Sequence, residues 1–198
     1  MDYQILGFSF TQTQLIIAIV IVAVVILVAI AAYVQYRKTR THALRSRFGS
    51  EYDRALITHG SAQKAEAKLA DREKRVEALK IRELGVTERE RFVAEWHIIQ
   101  SRFVDHPKAA VIEADDLVNQ LLEVRGYPRA DFEQRAADIS VYYPHVVESY
   151  RISHAIAIRP SSFEATTEEL RTAMIKYRAI FDDLIKDQRP AESRSVAA

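Results

Sequence analysis

The chain has 198 residues, no cysteine and only five scattered glycines (Gly7, Gly49, Gly60, Gly85 and Gly126), which excludes disulfides, thiolate metal sites and any phosphate-cradling or dinucleotide loop. Its formal net charge of +1 conceals an asymmetry: Arg37, Lys38, Arg40, Arg45 and Arg47 share one acid-free stretch, whereas from Phe48 onward 23 basic residues face 26 acidic ones. A nucleic-acid binder carries its cations on the folded domain, so the opposite distribution argues against a nucleic-acid partner.

Before the basic stretch, Leu15 to Val34 reads LIIAIVIVAVVILVAIAAYV, with no charge, amide, glycine or proline. Twenty residues at about 1.5 Å rise cover roughly 30 Å, the hydrocarbon thickness of a bilayer. Residues 15–36 are therefore expected to form a transmembrane helix behind a short extracytoplasmic N-terminus, 1–14, with Tyr33 and Tyr36 suited to the interface at its exit. The rival reading is a cleavable signal peptide, for which Ala29-Ile30-Ala31 could serve as the cleavage site. Such a peptide needs a cationic n-region and a shorter apolar core, and here the only charge ahead of the run is Asp2. Lys and Arg resist translocation, so the five membrane-edge cations place residues 37–198 on the cytoplasmic side of the membrane. The same cations can rest on anionic headgroups of the lipid bilayer.

Behind the span, residues 37–60 read as a basic juxtamembrane segment, 61–187 as a helical domain and 188–198 as a disordered tail. The span is expected to stay helical through Arg47 and loosen at Phe48-Gly49. Ser50 opens a short helix that ends near Gly60. A highly charged helix follows over about 62–83, with a thin stripe of Ala62, Ala65, Leu69, Val76 and Leu79. Thr87 with Glu90 forms a capping box for the next helix, where Phe92, Trp96, Ile99 and Phe103 share a face. Pro107 starts a helix with Val111, Ala114, Leu117, Leu121 and Leu122, closed by Gly126. Phe132 and Ala136 mark a shorter helix, and Pro144 begins one running to about Ile158. Thr166 with Glu169 is a second capping box, opening a helix through Ile185. Apolar residues recur at three and four rather than two, so no strand is expected. The fold class is all-α: one N-terminal transmembrane helix followed by a bundle of about five to seven helices.

The stretches Arg47-Phe48-Gly49-Ser50-Glu51-Tyr52-Asp53-Arg54-Ala55-Leu56, Phe103-Val104-Asp105-His106-Pro107 and Arg125-Gly126-Tyr127-Pro128, in that order, carry a likeness. The chain resembles an uncharacterised family of bacterial single-span proteins, usually labelled hypothetical or putative membrane or secreted proteins. The resemblance covers most of residues 47–185. It implies a bacterial source, membrane attachment and a helical domain that recurs as a unit; with the basic stretch kept inside, the membrane is expected to be the inner one. It implies no activity, cofactor or site residue.

Candidate chemistry is sparse. None of the six histidines (His42, His59, His97, His106, His145 and His154) pairs with another at the spacing that puts two ligands on one helix face. Asp115-Asp116 and Asp182-Asp183 are adjacent pairs, about 100° apart on a helix, and so not shared-proton dyads. No serine sits in a nucleophile elbow. The residues left are an aromatic-basic set: Trp96, His97, Arg125, Tyr127, Tyr142, Tyr143, His145, Tyr150 and His154. Trp96 and Tyr150 lie on apolar faces and read as core. Arg125, Tyr127, Tyr142, Tyr143 and His145 form the candidate interaction surface, since aromatics with a polar tip favour interfaces. The Arg125-Gly126-Tyr127-Pro128 run also reads simply as an elbow. The expectation is a non-enzymatic module, without cofactor or metal, that binds a protein partner at the cytoplasmic face. Two alternatives stand beside it. One is a ligand-binding or enzymatic pocket lined by Arg125, His145 and His154, with Asp115 nearby. The other is a homo-oligomeric stalk built on the 62–83 helix.

Overall fold

Apolar residues at helical spacing, punctuated by Gly49, Gly60, Pro107, Gly126 and Pro144, give eight helices among the described residues. Those residues are 3–5, 8–10, 12–160 and 165–186 of this computed structural model. The chain divides into two units, Met1–Leu44 and Arg45–Ala198.

The first unit opens on an antiparallel ribbon, β1 (Tyr3–Ile5) paired with β2 (Phe8–Phe10), in which Tyr3 lies opposite Phe10 and Ile5 opposite Phe8. This corrects the expectation of no strand. Tyr-Gln-Ile and Phe-Ser-Phe do alternate with period two, but runs of three residues do not stand out in a window of a dozen. Helix α1 (Gln12–Phe48) follows. From Ile16 to Val34 its large apolar side chains are bare, with exposures from 45% at Val34 to 65% at Leu27. By length and composition this helix can cross a membrane, a test that a signal sequence also meets.

In the second unit α1 ends at Phe48, and Gly49 turns the chain with φ of 51°. Helix α2 (Ser50–His59) closes on Gly60, a left-handed cap whose N–H donates to the Leu56 carbonyl at 2.9 Å. Ser61 caps α3 (Ala62–Glu77), its hydroxyl accepting the Lys64 N–H at 3.3 Å. Here α3 is shorter than the expected 62–83. After Glu77 the chain turns and then runs without regular structure from Lys80 to Gly85, burying Ile81 and Leu84, and the Arg82 N–H donates to the Arg125 carbonyl at 2.9 Å. Tertiary burial outweighs the helix propensity of a Leu-Lys-Ile-Arg-Glu-Leu run, whose individual preferences amount to tenths of a kcal/mol, about 0.7 at most. The 16-residue α3 that remains leaves the stalk reading without its long rod.

Helix α4 (Val86–Arg102) also begins differently from the expected Thr87–Glu90 box. Glu88 reaches back to accept the Gly85 N–H at 3.0 Å while gripping the Arg82 guanidinium with both carboxylate oxygens. Helices α5 (Pro107–Val124), α6 (Phe132–Tyr142) and α7 (Pro144–Ala157) follow, the first and last with proline in the opening turn. Asp131 caps α6 by accepting the Gln134 N–H at 2.8 Å. Helix α8 (Thr167–Lys186) starts on the expected Thr166–Glu169 box, reciprocal at 2.7 and 3.2 Å. Behind α1 there are thus seven helices among the described residues. The expected 188–198 tail lies outside those residues, as do Ser161 and Ser162, which with Arg159 and Pro160 read as a loop in the sequence.

Packing follows the apolar stripes. Helix α8 lies against α7 and α5, α4 against α5, α6 against α7 and α3, and α2 against α3 and α7. Trp96 of α4 stacks on Phe181 of α8 with centroids 4.9 Å apart, and Phe92, Tyr150 and Tyr177 are fully buried. Trp96 and Tyr150 are core residues, as their faces suggested.

Candidate functional site

Arg125 closes the C-terminal end of α5 and is completely buried. Its guanidinium donates to the Tyr143 hydroxyl at 2.9 Å, the Leu184 carbonyl at 2.7 Å and the Arg82 carbonyl at 3.3 Å. One side chain therefore ties the end of α5 to the 80–85 segment, the α6–α7 corner and the last turn of α8. The backbone beside it forms a complete helix stop: the Gly126 N–H donates to Glu123 and the Tyr127 N–H to Leu122, both at 3.0 Å. Gly126 has φ of 98°, and a Cβ there would sit 2.5 Å from the Lys80 carbonyl oxygen. The elbow reading of Arg125-Gly126-Tyr127-Pro128 fits this geometry.

These placements correct the proposed aromatic-basic surface. Arg125, Tyr127 and Tyr143 are interior, Tyr142 is half-buried, and of the five only His145 is exposed. The reason is long-range: Arg125 finds its partners 18, 43 and 59 residues away, a separation at which local sequence gives no guide to direction. His145 pairs instead with Asp183 of α8 at 2.7 Å, and the imidazole of His154 with Asp115 at 3.2 Å. Arg125, His145 and His154 thus engage three different partner sets.

Asp115 is the centre of a buried polar chain that sequence reasoning only partly anticipated. It accepts the Tyr177 hydroxyl at 2.8 Å and the Asn119 amide at 3.3 Å, and Tyr150 donates to the Asn119 oxygen at 3.0 Å. His154 completes it, its ring stacked on Phe132 at 3.8 Å. Burial pushes the Asp115 carboxyl up, but the hydrogen bonds from His154 and Tyr177 outweigh it and hold the group below its ordinary value. Burial and the Asp115 charge together push the Tyr177 and Tyr150 hydroxyls well above theirs. Both tyrosines stay protonated donors, which is structural work.

A second chain, missed entirely by the sequence reading, centres on Glu51 of α2. This almost wholly buried carboxylate accepts from Arg72 of α3 at 3.2 Å and from Arg151 of α7 at 3.0 Å, and Arg151 also pairs with Glu133 of α6 at 2.6 Å. Buried Asp138 accepts from Arg75 and from Gln134, and buried Glu66 from the Tyr52 hydroxyl at 3.2 Å. The available signal was position: Glu51 stands four residues before buried Ala55, on the inward stripe.

Two of the five membrane-edge cations fall in this unit, and both are engaged. Arg45 pairs with Asp53 at 3.2 Å, and Arg47 pairs with Glu73. Lys38 and Arg40 are exposed on α1.

Two cavities stand out among the described residues, and neither of these is lined by Arg125, His145 or His154. One, of about 450 Å³, lies between α3 and the start of α6, where Lys68, Arg72 and Arg75 face Asp71, Asp131 and Glu133. Its cations and acids balance, and most are paired with each other or with Glu51 and Asp138. The other, of about 360 Å³, is a groove between α4 and α5 with Ile99 and Leu117 at its base and Ile98, half exposed, on its wall. Glu95, Glu113 and Asp116 stand around it. Among the described residues, no group of three or more histidine or acidic side chains is arranged to hold a metal ion. No family model, curated protein or solved structure matches the chain.

Proposed function

We propose that this chain is a membrane-tethered, non-enzymatic docking module. In this reading the apolar part of α1 stays in the bilayer, the N-terminus faces outward, and the helical unit engages a protein partner at the cytoplasmic face of the inner membrane. The observation that carries it is the bare apolar stretch Ile16–Val34. At about 25 cal/mol per Å² of apolar surface, so many exposed aliphatic side chains demand a non-aqueous surrounding. Retention is favoured over cleavage because the segment ahead of the run has Asp2 and no cation. Docking is favoured over catalysis because Asp115, Glu51, Arg125 and His154 are each committed to internal partners. Tethering then raises the effective concentration of even a weak docking surface toward membrane partners.

Expression of the full, C-terminally tagged chain tests the reading, with photo-crosslinking residues placed in turn on exposed positions of α2 to α8. The expected result is resistance to alkaline carbonate extraction, an intact mass that includes Met1–Ala32, and a discrete protein adduct from a clustered set of positions. A mature chain beginning near Ala32, or adducts from no position, would overturn it.

A further inference from the structure

The α4–α5 groove has a chemistry that specifies its occupant. Ile98 lies off the Phe92–Trp96–Ile99 stripe that α4 turns inward, and it leaves half of its surface in solvent beside Ile99 and Leu117. Around this apolar base acids outnumber bases, with Glu95, Glu113 and Asp116 beside Arg102. Glu113 is neutralised by Arg102 at 3.0 Å, and among the described residues Glu95 meets Arg91 across an exposed contact of 3.8 Å. Asp116 has no ion-pair partner among the described residues. Burial, with the charges of Asp115 and Glu113, pushes the Asp116 carboxyl above its ordinary value, so a cation brought there would meet an uncompensated anion.

We propose that this groove is the docking site for a cationic amphipathic helix of a partner protein. An aliphatic side chain of that helix would lie between Ile98, Ile99 and Leu117, with a flanking lysine or arginine against Asp116 and Glu95. The inference rests on the docking-module reading and deepens it. A cleft between two helices that is apolar along its base and acidic at its sides matches helix-in-groove recognition, where spaced apolar anchors give affinity and flanking charges give register. A second copy of the same domain is a poor occupant, since from Phe48 onward the chain carries 26 acidic against 23 basic residues and like charges oppose the approach.

The test uses the full chain in nanodiscs of zwitterionic lipid and a synthetic amphipathic peptide with a leucine stripe and lysines beside it. Two control peptides carry glutamate for lysine or alanine for leucine. The lysine peptide is expected to bind, to weaken with salt, and to lose about tenfold or more in affinity on Ile98→Asp and on Asp116→Lys, with both controls inert. Both substituted side chains are exposed, so the fold survives the changes. Equal binding to wild type and both variants, equal binding of the glutamate peptide, or no binding at all overturns the groove assignment. The wider docking reading is decided separately, by whether any surface position yields a crosslinked partner.

Discussion

Gly126 has no room for a side chain and a backbone that L-residues avoid. Its φ of 98° is outside the range a Cβ tolerates, and that Cβ would stand 2.5 Å from a main-chain oxygen of Lys80, which cannot swing away. Gly126→Ala should therefore cost about 3 kcal/mol, combining backbone strain with overpacking. Gly60 supplies the control, because it has φ of 71° but open space around it. Gly60→Ala should cost only about 1 kcal/mol. Trp96 is the single tryptophan and is buried on Phe181, so its fluorescence during urea unfolding of the micelle-bound chain reads both values. Equal midpoints for the two variants would show that Lys80 yields. Asp115 makes a prediction of a different kind. Its carboxyl is held low by His154 and Tyr177, so its contribution is complete above the unfolded-state value of about 3.9 and disappears as pH falls through the lower folded value. The urea midpoint of wild type should fall through that acid window, and Asp115→Asn should flatten the fall. Parallel curves for the two proteins would mean that the pairing adds nothing to acid stability.

Helices α2, α3, α6 and α7 meet around charge as well as around hydrocarbon. Glu51 is the shared acceptor, and Arg151, itself mostly buried, bridges it to Glu133. Deleting one member of a desolvated pair leaves the other uncompensated, so Glu51→Ala should destabilise by about 3–5 kcal/mol. In a double-mutant cycle with Arg151→Ala, the second change should cost much less on the Glu51→Ala background than on wild type. Additive losses in the same urea assay would show that the two residues act independently. How far this arrangement was legible depends on where the determining partner lies. The α4 stripe of Phe92, Trp96 and Ile99 and the Thr166–Glu169 cap are local patterns, and both appear in the fold where the spacing put them. The end of α3 is not local. Nothing in Leu79-Lys80-Ile81-Arg82 forbids helix, and the chain leaves it because the Arg125 carbonyl and the underside of Gly126 receive Arg82 and Lys80 from across the molecule. Arg125 shows the same limit at the candidate site. Its chemistry marked it out, but its direction is set by Tyr143 and the Arg82 and Leu184 carbonyls, all distant in sequence. Ile98 went unremarked because it falls outside the inward stripe, although an aliphatic residue on the outward face is itself a signal.

Across the whole chain, the proposed orientation depends on the cations behind the apolar run, and these do not have equal roles after folding. Arg45 and Arg47 are drawn into ion pairs with Asp53 and Glu73, whereas Lys38 and Arg40 stay exposed. Topology is decided during insertion, before those pairs exist, so all five count alike toward keeping residues 37–198 inside. Stability, by contrast, should register Arg47 and ignore Lys38 and Arg40. Replacing Arg37, Lys38 and Arg40 with glutamine, while adding three lysines ahead of Leu15, should therefore turn a C-terminal reporter from cytoplasmic to external. Glutamine at Lys38 and Arg40 alone should leave the Trp96 unfolding midpoint in place, within a few tenths of a kcal/mol, as expected for solvated surface charges. Paired alkaline-phosphatase and fluorescent-protein fusions at residue 198 read the first effect, and urea titration reads the second. If the phosphatase fusion is already active outside in the unmodified chain, the orientation is reversed. The proposed docking partner must then be sought on the other side of the membrane.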